Sequence, residues 1–374
     1  MVTRIMKQLM IVACLSTFFI YGNGVKAESN KPFQLNSEVA LLIDQTSGDL
    51  VYEQFSTQKM YPASITKIIT GIIAIEQGNL DDIVTISKEA TEVIGTRVYL
   101  LEDEEVTLKK LVQGLLINSG NDAGTAIAEH FDGSEEAFAK RMNEFVTEEI
   151  GTVNTNFTNP HGLFDEEHYT TALDMARITQ YAMKNETFRE IVSTKELEWL
   201  GEGWETTIYN HHRLLWDYEG TTGVKNGFVS QSGYTLVTSA ERDNQEFIAV
   251  TLKAPNAKMA YQDTMKLLNY GFENYHTKML PEDKRFQGED GEELFLEKDL
   301  YFTQLLDESV DYEVNQRNQL EIKGQEDRTI KRVDLKTVDV EPVQTKAEID
   351  LEAAESKGIL GRMFDFLVQL FSFK

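Results

Sequence analysis

Apolar positions follow two different periods along the first three quarters of the chain. Residues 38–55 predict a strand, a turn and a second strand, and residues 233–240 and 246–252 alternate as paired strands do. Between them lie segments whose apolar residues recur at helical spacing: 65–75, 108–117, 123–131, 136–150 and 172–183. Strands at both ends with helices between them predict one α/β (α+β) domain over residues 28–280.

The pattern changes near residue 280. Residues 281–291 are charged and rich in turn formers, which is typical of a linker, and residues 292–346 contain short alternating runs. We therefore expect a small β-rich domain over residues 281–350.

Composition narrows the classes of function. The 374 residues include 36 Lys and Arg against 62 Asp and Glu, for a formal net charge of −26, and 41% of them are hydrophobic. A chain this acidic lacks the clustered cations that drive nucleic-acid binding, and its apolar content is too high for a disordered protein. The single cysteine, Cys14, excludes an internal disulfide and structural zinc sites with several cysteines.

Residues 1–27 have the features of a secretory signal. Arg4 and Lys7 precede an apolar run, and small residues stand three and one positions before a cut after Ala27. An uncleaved membrane anchor is the alternative, whereas a lipoprotein site at Cys14 is disfavoured because the apolar run continues beyond it. Export by such a signal implies that the protein works outside the cytoplasm.

The chain ends in an apolar segment, within residues 351–374, that carries one polar stripe. Its polar residues recur three and four positions apart, as on one face of a helix: Arg362, Asp365, Gln369 and Ser372. The segment is short of the about 20 apolar residues that span a bilayer. We expect an amphipathic helix that lies in the membrane interface and attaches the protein to the outer face of the cytoplasmic membrane. The alternative is a helix docked on the protein's own core.

Ser64 and Lys67 carry the first candidate chemistry. They begin an almost wholly apolar, and therefore buried, helix, and their spacing of three puts them on one face. Burial and a second cation nearby would lower the pKa of the Lys67 amine, so that it can accept a proton. Ser64, at the helix N-terminus, would lie beside free backbone N–H groups that stabilise negative charge. This combination is the chemistry of an acyl-enzyme.

The Ser-x-x-Lys pattern is weak by itself, since a chain of this length contains about one by chance. A second copy, from Ser56 to Lys59, begins no apolar helix, and we interpret it as a solvated loop. Ser119-Gly120-Asn121 lies between two apolar helices, and Lys225-Asn226-Gly227 precedes a strand pair. Each of these alone is typical of a turn or a helix cap, but the three patterns in this order and at these separations are specific.

The three patterns resemble those of the penicillin-recognising serine acyl-transferases, whose motifs are S-x-x-K, S-x-N and K-T-G. Within that group the chain resembles the low-molecular-mass penicillin-binding proteins, the D-alanyl-D-alanine carboxypeptidases of bacterial cell-wall metabolism. Further stretches are similar to that branch, at residues 117–123, 159–163, 168–176 and 213–216. The resemblance covers nearly the whole chain. It implies a catalytic domain like that of serine β-lactamases and DD-peptidases, followed by the β-rich domain and the amphipathic helix.

The resemblance implies roles for the residues of the first two motifs. Ser64 is expected to attack the carbonyl between two D-alanines, and Lys67 to take its proton as the general base. Ser119 and Asn121 are expected to complete the hydrogen-bond network, with Ser119 a candidate for passing a proton to the leaving D-alanine. Water then releases the shortened peptide.

The third motif is expected to bind the substrate through Lys225, Asn226, Gly227 and Phe228. Lys225 would supply charge near the substrate carboxylate, and the N–H groups of Ser64 and Phe228 would form the oxyanion hole. The resemblance further implies peptidoglycan stem peptides ending in D-Ala-D-Ala as the substrate and β-lactams as inhibitors. It implies no cofactor and no metal.

One position departs from the family pattern, because Asn226 replaces the threonine of K-T-G. Its amide can still donate a hydrogen bond to a carboxylate, but from a longer side chain and at a different angle. A poorer bond to a charged group costs roughly 1.5–3 kcal/mol, which lowers affinity by one or two orders of magnitude without abolishing the chemistry.

Three alternative functions follow from particular residues. The departure at Asn226 motivates a non-catalytic or weakly active penicillin- or peptidoglycan-binding protein. A β-lactamase of class A needs a Glu that acts on water, in a segment E-x-x-L-N that the chain lacks. His161 and His168 suggest a metal peptidase, but H-E-x-x-H is absent and we interpret Asn159-Pro160-His161-Gly162 as a structural turn.

Overall fold

The computed structural model describes residues 32–337 together with Gly358 and Gly361. The predicted signal over residues 1–27 lies outside the described residues, as does the predicted helix over residues 351–374 apart from those two glycines. In the part of the chain that is described, no helix combines the length and the apolar character needed to cross a membrane.

The secondary structure of the described residues is numbered in chain order. The strands are β1 (Val39–Asp44), β2 (Leu50–Gln54), β3 (Ile83–Thr85), β4 (Glu105–Thr107), β5 (Glu196–Leu200), β6 (Glu205–Tyr209), β7 (Thr221–Val229), β8 (Gly233–Arg242), β9 (Gln245–Ala254), β10 (Tyr275–Leu280), β11 (Arg285–Gln287), β12 (Glu293–Phe295), β13 (Leu300–Leu305), β14 (Asp311–Val314), β15 (Gln319–Lys323), β16 (Thr329–Asp334) and β17 (Lys336–Thr337). The α-helices are α1 (Lys67–Gln77), α2 (Lys88–Glu92), α3 (Leu108–Leu116), α4 (Asn121–Asp132), α5 (Glu135–Phe145), α6 (Ala172–Ala182), α7 (Glu186–Ser193), α8 (Leu214–Asp217) and α9 (Ala257–Asn274). Two 3₁₀ turns (Ala63–Thr66 and Gln325–Asp327) and a π-helical turn (Val146–Ile150) complete it.

A five-stranded antiparallel sheet organises the first part of the chain, in the order β2-β1-β9-β8-β7. Successive side chains of a strand point to opposite faces, and both faces of β1 are buried. Leu41 and Ile43 join the apolar core that the helices share. On the other face, α9 packs so closely that a Cβ on its Gly271 would lie 3.0 Å from Leu42 and Phe247. Burial on both faces explains why β1 is a continuous apolar run.

Helix α1 and the 3₁₀ turn that precedes it lie at the centre of the helical core. The isoleucines at helical spacing have no exposed surface: Ile65, Ile68, Ile69, Ile72 and Ile73. Burial of each such side chain contributes about 1.5–3 kcal/mol to folding. Gly71 lets α3 approach, because a Cβ there would lie 2.9 Å from Leu116. The predicted buried helix is confirmed, and it holds Lys67 by its first turn.

Several predicted elements differ from the observed ones in extent or type. The segment predicted as one helix over 136–150 is α5 followed by the π-helical turn, and the helix predicted from residue 123 begins at Asn121. Lys225-Asn226-Gly227 lies within strand β7 rather than in a turn. Helices α7 and α9, and the hairpin of β5 and β6, were not among the predictions.

The chain after α9 is rich in β structure, as the sequence predicts. Its small sheets are β10 with β13, β11 with β12 and β17, and β14 with β15 and β16. They share an apolar cluster that includes Leu294, Phe302 and Ile322. Residues 281–291, predicted as a linker, contain β11. The domain boundaries proposed from the sequence stay predictions, and the α/β fold class is confirmed.

The turn between β1 and β2 joins the two parts of the chain. The Asp49 carboxylate accepts hydrogen bonds from the backbone N–H of Thr303, at 2.9 Å, and from the ammonium group of Lys331. The Ser47 hydroxyl lies 2.8 Å from that of Thr303. These polar contacts anchor the β-rich part on the edge of the central sheet that lies opposite to β7.

Candidate active site

The residues of the three sequence motifs come from three separate elements. Ser64 lies in the 3₁₀ turn and Lys67 is the first residue of α1. Ser119 lies in the loop between α3 and α4, and Asn121 is the first residue of α4. Lys225, Asn226, Gly227 and Phe228 lie on the edge strand β7. Hydrogen bonds and close backbone contacts join the elements around the Ser64-Lys67 pair.

The Lys67 side chain is the centre of the site, and it is fully buried. Its Nζ lies 3.1 Å from the Ser64 Oγ, 2.7 Å from the Asn121 Oδ1 and 2.7 Å from the backbone oxygen of His161. Burial holds the pKa of the Lys67 amine well below its ordinary value, and the charge of Lys225 lowers it further, against the opposing charge of Asp122. A lysine in this setting can be a neutral amine at physiological pH.

Lys225 is the second buried cation, with 2% of its surface exposed. Its Nζ donates to the backbone oxygen of Asn226 at 3.2 Å and lies 3.5 Å from the Asn226 Oδ1. Burial lowers the pKa of Lys225 to about 7. The second cation expected near Lys67 is therefore Lys225 of the third motif, which lies on β7.

The loop between α3 and α4 is shaped by polar side chains. The Asn121 amide accepts from Lys67 and donates to the backbone oxygen of Ile94 at 2.7 Å. Asp122 accepts from the backbone N–H groups of Val98 and Ala123, each at 3.0 Å. Ser119 is buried and has a φ of +65°, in the left-handed region. This rare conformation in a non-glycine residue is typical of functional sites that the surrounding fold holds in place.

Two glycines enclose the peptide unit that joins Ala63 to Ser64. A Cβ on Gly162 would lie 1.9 Å from the Ala63 oxygen, and a Cβ on Gly227 would lie 2.7 Å from the Ser64 nitrogen. Ala63 itself has a φ of +53°. Strand β8 secures the same segment, since the Thr235 hydroxyl donates to the Pro62 oxygen at 2.8 Å. Ser64 is thus held by backbone contacts on two sides.

The segment Asn159-Pro160-His161-Gly162 contributes more than the turn that the sequence suggests. The His161 backbone oxygen binds Lys67, the Pro160 oxygen accepts from the Thr70 hydroxyl at 2.6 Å, and Gly162 contacts the Ala63 carbonyl. Sequence reasoning missed this role because backbone atoms perform it. The only signal was that the stretch resembled the family.

Both histidines near the site have structural partners. His168 Nδ1 accepts from the Thr158 N–H at 3.0 Å, so its Nε2 carries the proton and donates to the Thr66 hydroxyl at 2.8 Å. Burial lowers the pKa of His168 to about 3, so the ring is neutral. His161 Nε2 lies 3.1 Å from the Glu135 carboxylate. Both rings are engaged in contacts that brace the Ser64 segment and the Lys67 pocket.

The second Ser-x-x-Lys copy has different surroundings. The Ser56 hydroxyl donates to the Glu53 carboxylate at 2.9 Å, and the Lys59 ammonium lies 3.9 Å from the centre of the Tyr169 ring. Lys59 is exposed, as expected for a solvated loop, whereas Ser56 is buried. Neither group shares the environment of the Ser64-Lys67 pair.

Comparison with known proteins identifies relatives over most of the chain. A family model described as D-alanyl-D-alanine carboxypeptidase, peptidase S11, matches residues 25–256. The chain is 35% identical over 283 residues to the D-alanyl-D-alanine carboxypeptidase DacF of Bacillus subtilis, covering 73% of this chain and 72% of that protein. It is 28% identical to the D-alanyl-D-alanine carboxypeptidase DacA of Escherichia coli, covering 98% of this chain and 97% of that protein.

Solved structures agree with these relatives. The fold is similar to that of penicillin binding protein 5 from Haemophilus influenzae, with a TM-score of 0.74 and 29% identity over 82% of this chain and 98% of that one. It is also similar to the Streptomyces K15 DD-transpeptidase, with a TM-score of 0.61 and 28% identity over 64% of this chain and 99% of that one.

The glycine contacts lead to a first prediction. Gly162→Ala is expected to slow acylation by a β-lactam at least about 100-fold, because the new Cβ would displace the Ala63–Ser64 peptide from its reactive position by an ångström or more. The measurement is the rate of covalent labelling by a fluorescent penicillin, with circular dichroism to establish that the variant is folded.

Gly151→Ala is the matched control for this variant. Gly151 also has a positive φ, of +79°, but a Cβ there would meet nothing within 4 Å. It carries the same kind of backbone strain without the collision. Equal labelling rates in the two variants would contradict the role assigned to the Gly162 contact.

Proposed function

The chain belongs to the D-alanyl-D-alanine carboxypeptidase family, and from that premise we propose that Ser64 is the nucleophile of a serine-type carboxypeptidase. The enzyme removes the terminal D-alanine from peptidoglycan stem peptides that end in D-Ala-D-Ala, and it binds penicillin. The observation that carries the residue assignment is the 3.1 Å contact between the Ser64 hydroxyl and the fully buried amine of Lys67.

The partners of Lys67 support its role as the general base. A neutral amine has two N–H donors and one lone pair. The Asn121 and His161 oxygens, each at 2.7 Å, accept the two N–H groups. The lone pair is then free for the Ser64 proton. Lys67 takes that proton while the Ser64 oxygen bonds to the carbonyl carbon, and the carbonyl electrons move to its oxygen.

The remaining motif residues have roles in the later steps. The N–H groups of Ser64 and Phe228 stabilise the oxyanion of the tetrahedral intermediate. When the C–N bond breaks, the leaving D-alanine nitrogen takes up a proton, for which the Ser119 hydroxyl is the donor and Lys67 the source. The carboxylate of the leaving residue binds near Lys225 and Asn226. Water then attacks the ester, and the same groups act in reverse to release the shortened peptide.

Asn226 favours one second candidate, a weakly active or non-catalytic penicillin-binding protein. Its Oδ1 faces the Lys225 ammonium at 3.5 Å. This orientation leaves the amide NH₂ as the donor to a substrate carboxylate, in place of the threonine hydroxyl of the family motif. Loss of one good hydrogen bond to a charged group weakens binding by roughly 1.5–3 kcal/mol. The substitution therefore lowers the affinity for the substrate more than the reactivity of Ser64.

A pentapeptide assay tests the proposed function. Ser64→Ala is expected to abolish the release of D-alanine from a stem peptide ending in D-Ala-D-Ala, because no acyl-enzyme can form. Mass spectrometry of the peptide measures the loss. Ser56→Ala, at the serine of the second Ser-x-x-Lys copy, is the control and is expected to keep wild-type activity.

Two other outcomes of this assay would change the assignment. Full activity of Ser64→Ala would exclude Ser64 as the nucleophile. No release by the wild-type protein, with release restored by Asn226→Thr, would assign the chain to the weakly active candidate.

The two lowered lysine pKa values predict a bell-shaped pH dependence of acylation. The rate is expected to rise with pH as Lys67 loses its proton, because only the neutral amine is a base. It is expected to fall above about pH 7, where Lys225 loses the charge that attracts the carboxylate. Stopped-flow acylation by a chromogenic cephalosporin measures both limbs.

The variant Lys225→Arg separates the contributions of Lys67 and Lys225 to this pH profile. An arginine stays charged at all accessible pH values, so the fall above neutrality is expected to vanish while the acid limb stays. An unchanged alkaline limb in this variant would assign that limb to another group.

We further propose that the protein works outside the cytoplasm, exported by the signal over residues 1–27 and held at the membrane by residues 351–374. The substrate supports this location because peptidoglycan lies outside the cytoplasmic membrane. The polar stripe of the C-terminal segment supports an interfacial helix. Because the protein is strongly acidic, apolar burial rather than charge must drive the attachment.

Vesicle binding tests the role of the C-terminal segment. Phe364→Glu and Phe371→Glu, which helical spacing puts opposite the polar stripe, are expected to abolish co-sedimentation of the full chain with phosphatidylcholine vesicles. Gln369→Glu and Ser372→Glu add the same charges within the stripe and are expected to keep it. Equal binding of both double variants would contradict the interfacial helix.

A further inference from the structure

The two oxygens that accept from Lys67 come from separate segments, and one carboxylate links those segments. The Asn121 oxygen is on α4, and the His161 oxygen belongs to the segment before Gly162. Glu135, the first residue of α5, accepts from the His161 Nε2 at 3.1 Å and from the hydroxyl of Thr125. Thr125 lies one helical turn after Asn121. Glu135 therefore connects both acceptors of Lys67 without contacting Lys67 itself.

The tautomer of His161 determines which group donates in the hydrogen bond between His161 and Glu135. Its Nδ1 accepts from the backbone N–H of Leu163 at 3.3 Å, so its Nε2 carries the proton and donates to Glu135. The ring is 3% exposed, and burial lowers the pKa of His161, so the imidazole is neutral. Glu135 is therefore bound as a hydrogen-bond acceptor for a neutral ring.

Glu135 is well suited to stay ionised in this place. Burial opposes its charge, but the hydrogen bonds from His161 and Thr125 hold the pKa of the Glu135 carboxyl below its usual value. It also lies in the first turn of α5, where the helix dipole favours a carboxylate. Its side chain is 32% exposed, and it lines a surface pocket with Thr125 and Glu129.

We propose that Glu135 is a positioning residue for catalysis, which fixes the Asn121 and His161 oxygens so that the Lys67 amine is aimed at the Ser64 hydroxyl. The proposal rests on the proposed function of Lys67 as the general base. A lysine side chain has many rotamers, so the two acceptor oxygens determine where its amine lies. A misplacement of 1 Å in a reacting group can cost about 100-fold in rate.

Substitutions of Glu135 test whether acylation depends on the position of its hydrogen-bond acceptor or on its charge. Glu135→Gln keeps an oxygen that accepts from His161 and Thr125, and it is expected to acylate within about twofold of the wild type. In Glu135→Ala and Glu135→Asp the side chain is too short to accept from His161 and Thr125. Both are expected to slow the acylation step about tenfold or more. The dissociation constant of the complex before acylation is expected to stay unchanged, because Glu135 bonds to Thr125 and His161 and is not one of the residues proposed to bind the substrate.

Glu136 provides the matched control, since it is the next residue of the same helix turn. Its side chain is 88% exposed and pairs with Lys140, at 3.4 Å. Glu136→Ala removes the same charge and is expected to have no effect on acylation. Stopped-flow acylation by a chromogenic cephalosporin over a range of concentrations separates the rate of the step from the initial affinity.

A pH profile distinguishes positioning from a merely structural role. An ammonium that loses a fixed acceptor is less stable, so the acid limb of Glu135→Asp is expected to move to lower pH while its plateau falls. The proposal is overturned if Glu135→Asp acylates at the wild-type rate, if Glu135→Gln is as slow as Glu135→Asp, or if Glu136→Ala is equally slow.

A variant that fails to fold and a failure of the proposed function can both be told apart from a failure of the positioning role. If Glu135→Ala does not fold, the comparison of Glu135→Asp with Glu135→Gln still tests the proposal. Acylation of the wild type that depends on Ser64, together with unaffected Glu135 variants, overturns only the positioning role. Absence of acylation in the wild type overturns the proposed function, and the positioning role with it.

Discussion

A lysine amine without exposed surface lies beside a serine hydroxyl, and the cost of burying that amine accounts for most of the arrangement around it. An unpaired buried ammonium costs several kcal/mol, so the fold either supplies acceptors or lowers the pKa. Here it does both. Two oxygens lie 2.7 Å from the amine, and a second buried lysine opposes its protonation. The same features that reduce the cost of burial favour the neutral amine, which is the form that the proposed general base requires.

The second constraint is close backbone packing. The peptide unit before Ser64 lies between Gly162 and Gly227, at distances that leave no room for a Cβ on either residue. Glycine is required there by contact with another backbone and not only by its own φ angle. These contacts stabilise the left-handed backbone conformation of Ala63, directly before Ser64, which costs about 1–3 kcal/mol. The apolar core around α1 supplies the stability that offsets this strain.

Charge is distributed unevenly between the surface and the site. The chain has a formal net charge of −26, whereas the centre of the site contains two buried lysines. Screening limits the field of exposed charges to about 8 Å at physiological ionic strength. The two lysines therefore attract an anionic peptide end only at short range. This attraction must exceed the repulsion by the acidic surface.

The sequence by itself determined the buried isoleucine helix and the placement of Ser64 and Lys67 at its start, one turn apart. Both follow from local spacing, since residues three and four apart share a helix face whatever packs against it. It also determined the α/β class, from alternating strands on either side of the helices. The three motifs together were sufficient to indicate the family, although their contact with one another could not be read from the chain.

Only the tertiary structure decided what surrounds the Lys67 amine. The His161 contact uses a backbone oxygen, which every residue has, so no side-chain pattern marks it. Lys225 was expected near the substrate, but its lowered pKa depends on burial within β7, a strand that its polar and glycine-rich sequence did not predict. Glu135 was indistinguishable from its neighbour Glu136 along the chain. Packing of α5 against the segment of His161 leaves Glu135 partly buried and Glu136 exposed. Which residues distant in sequence come into contact is decided by the fold and not by local spacing.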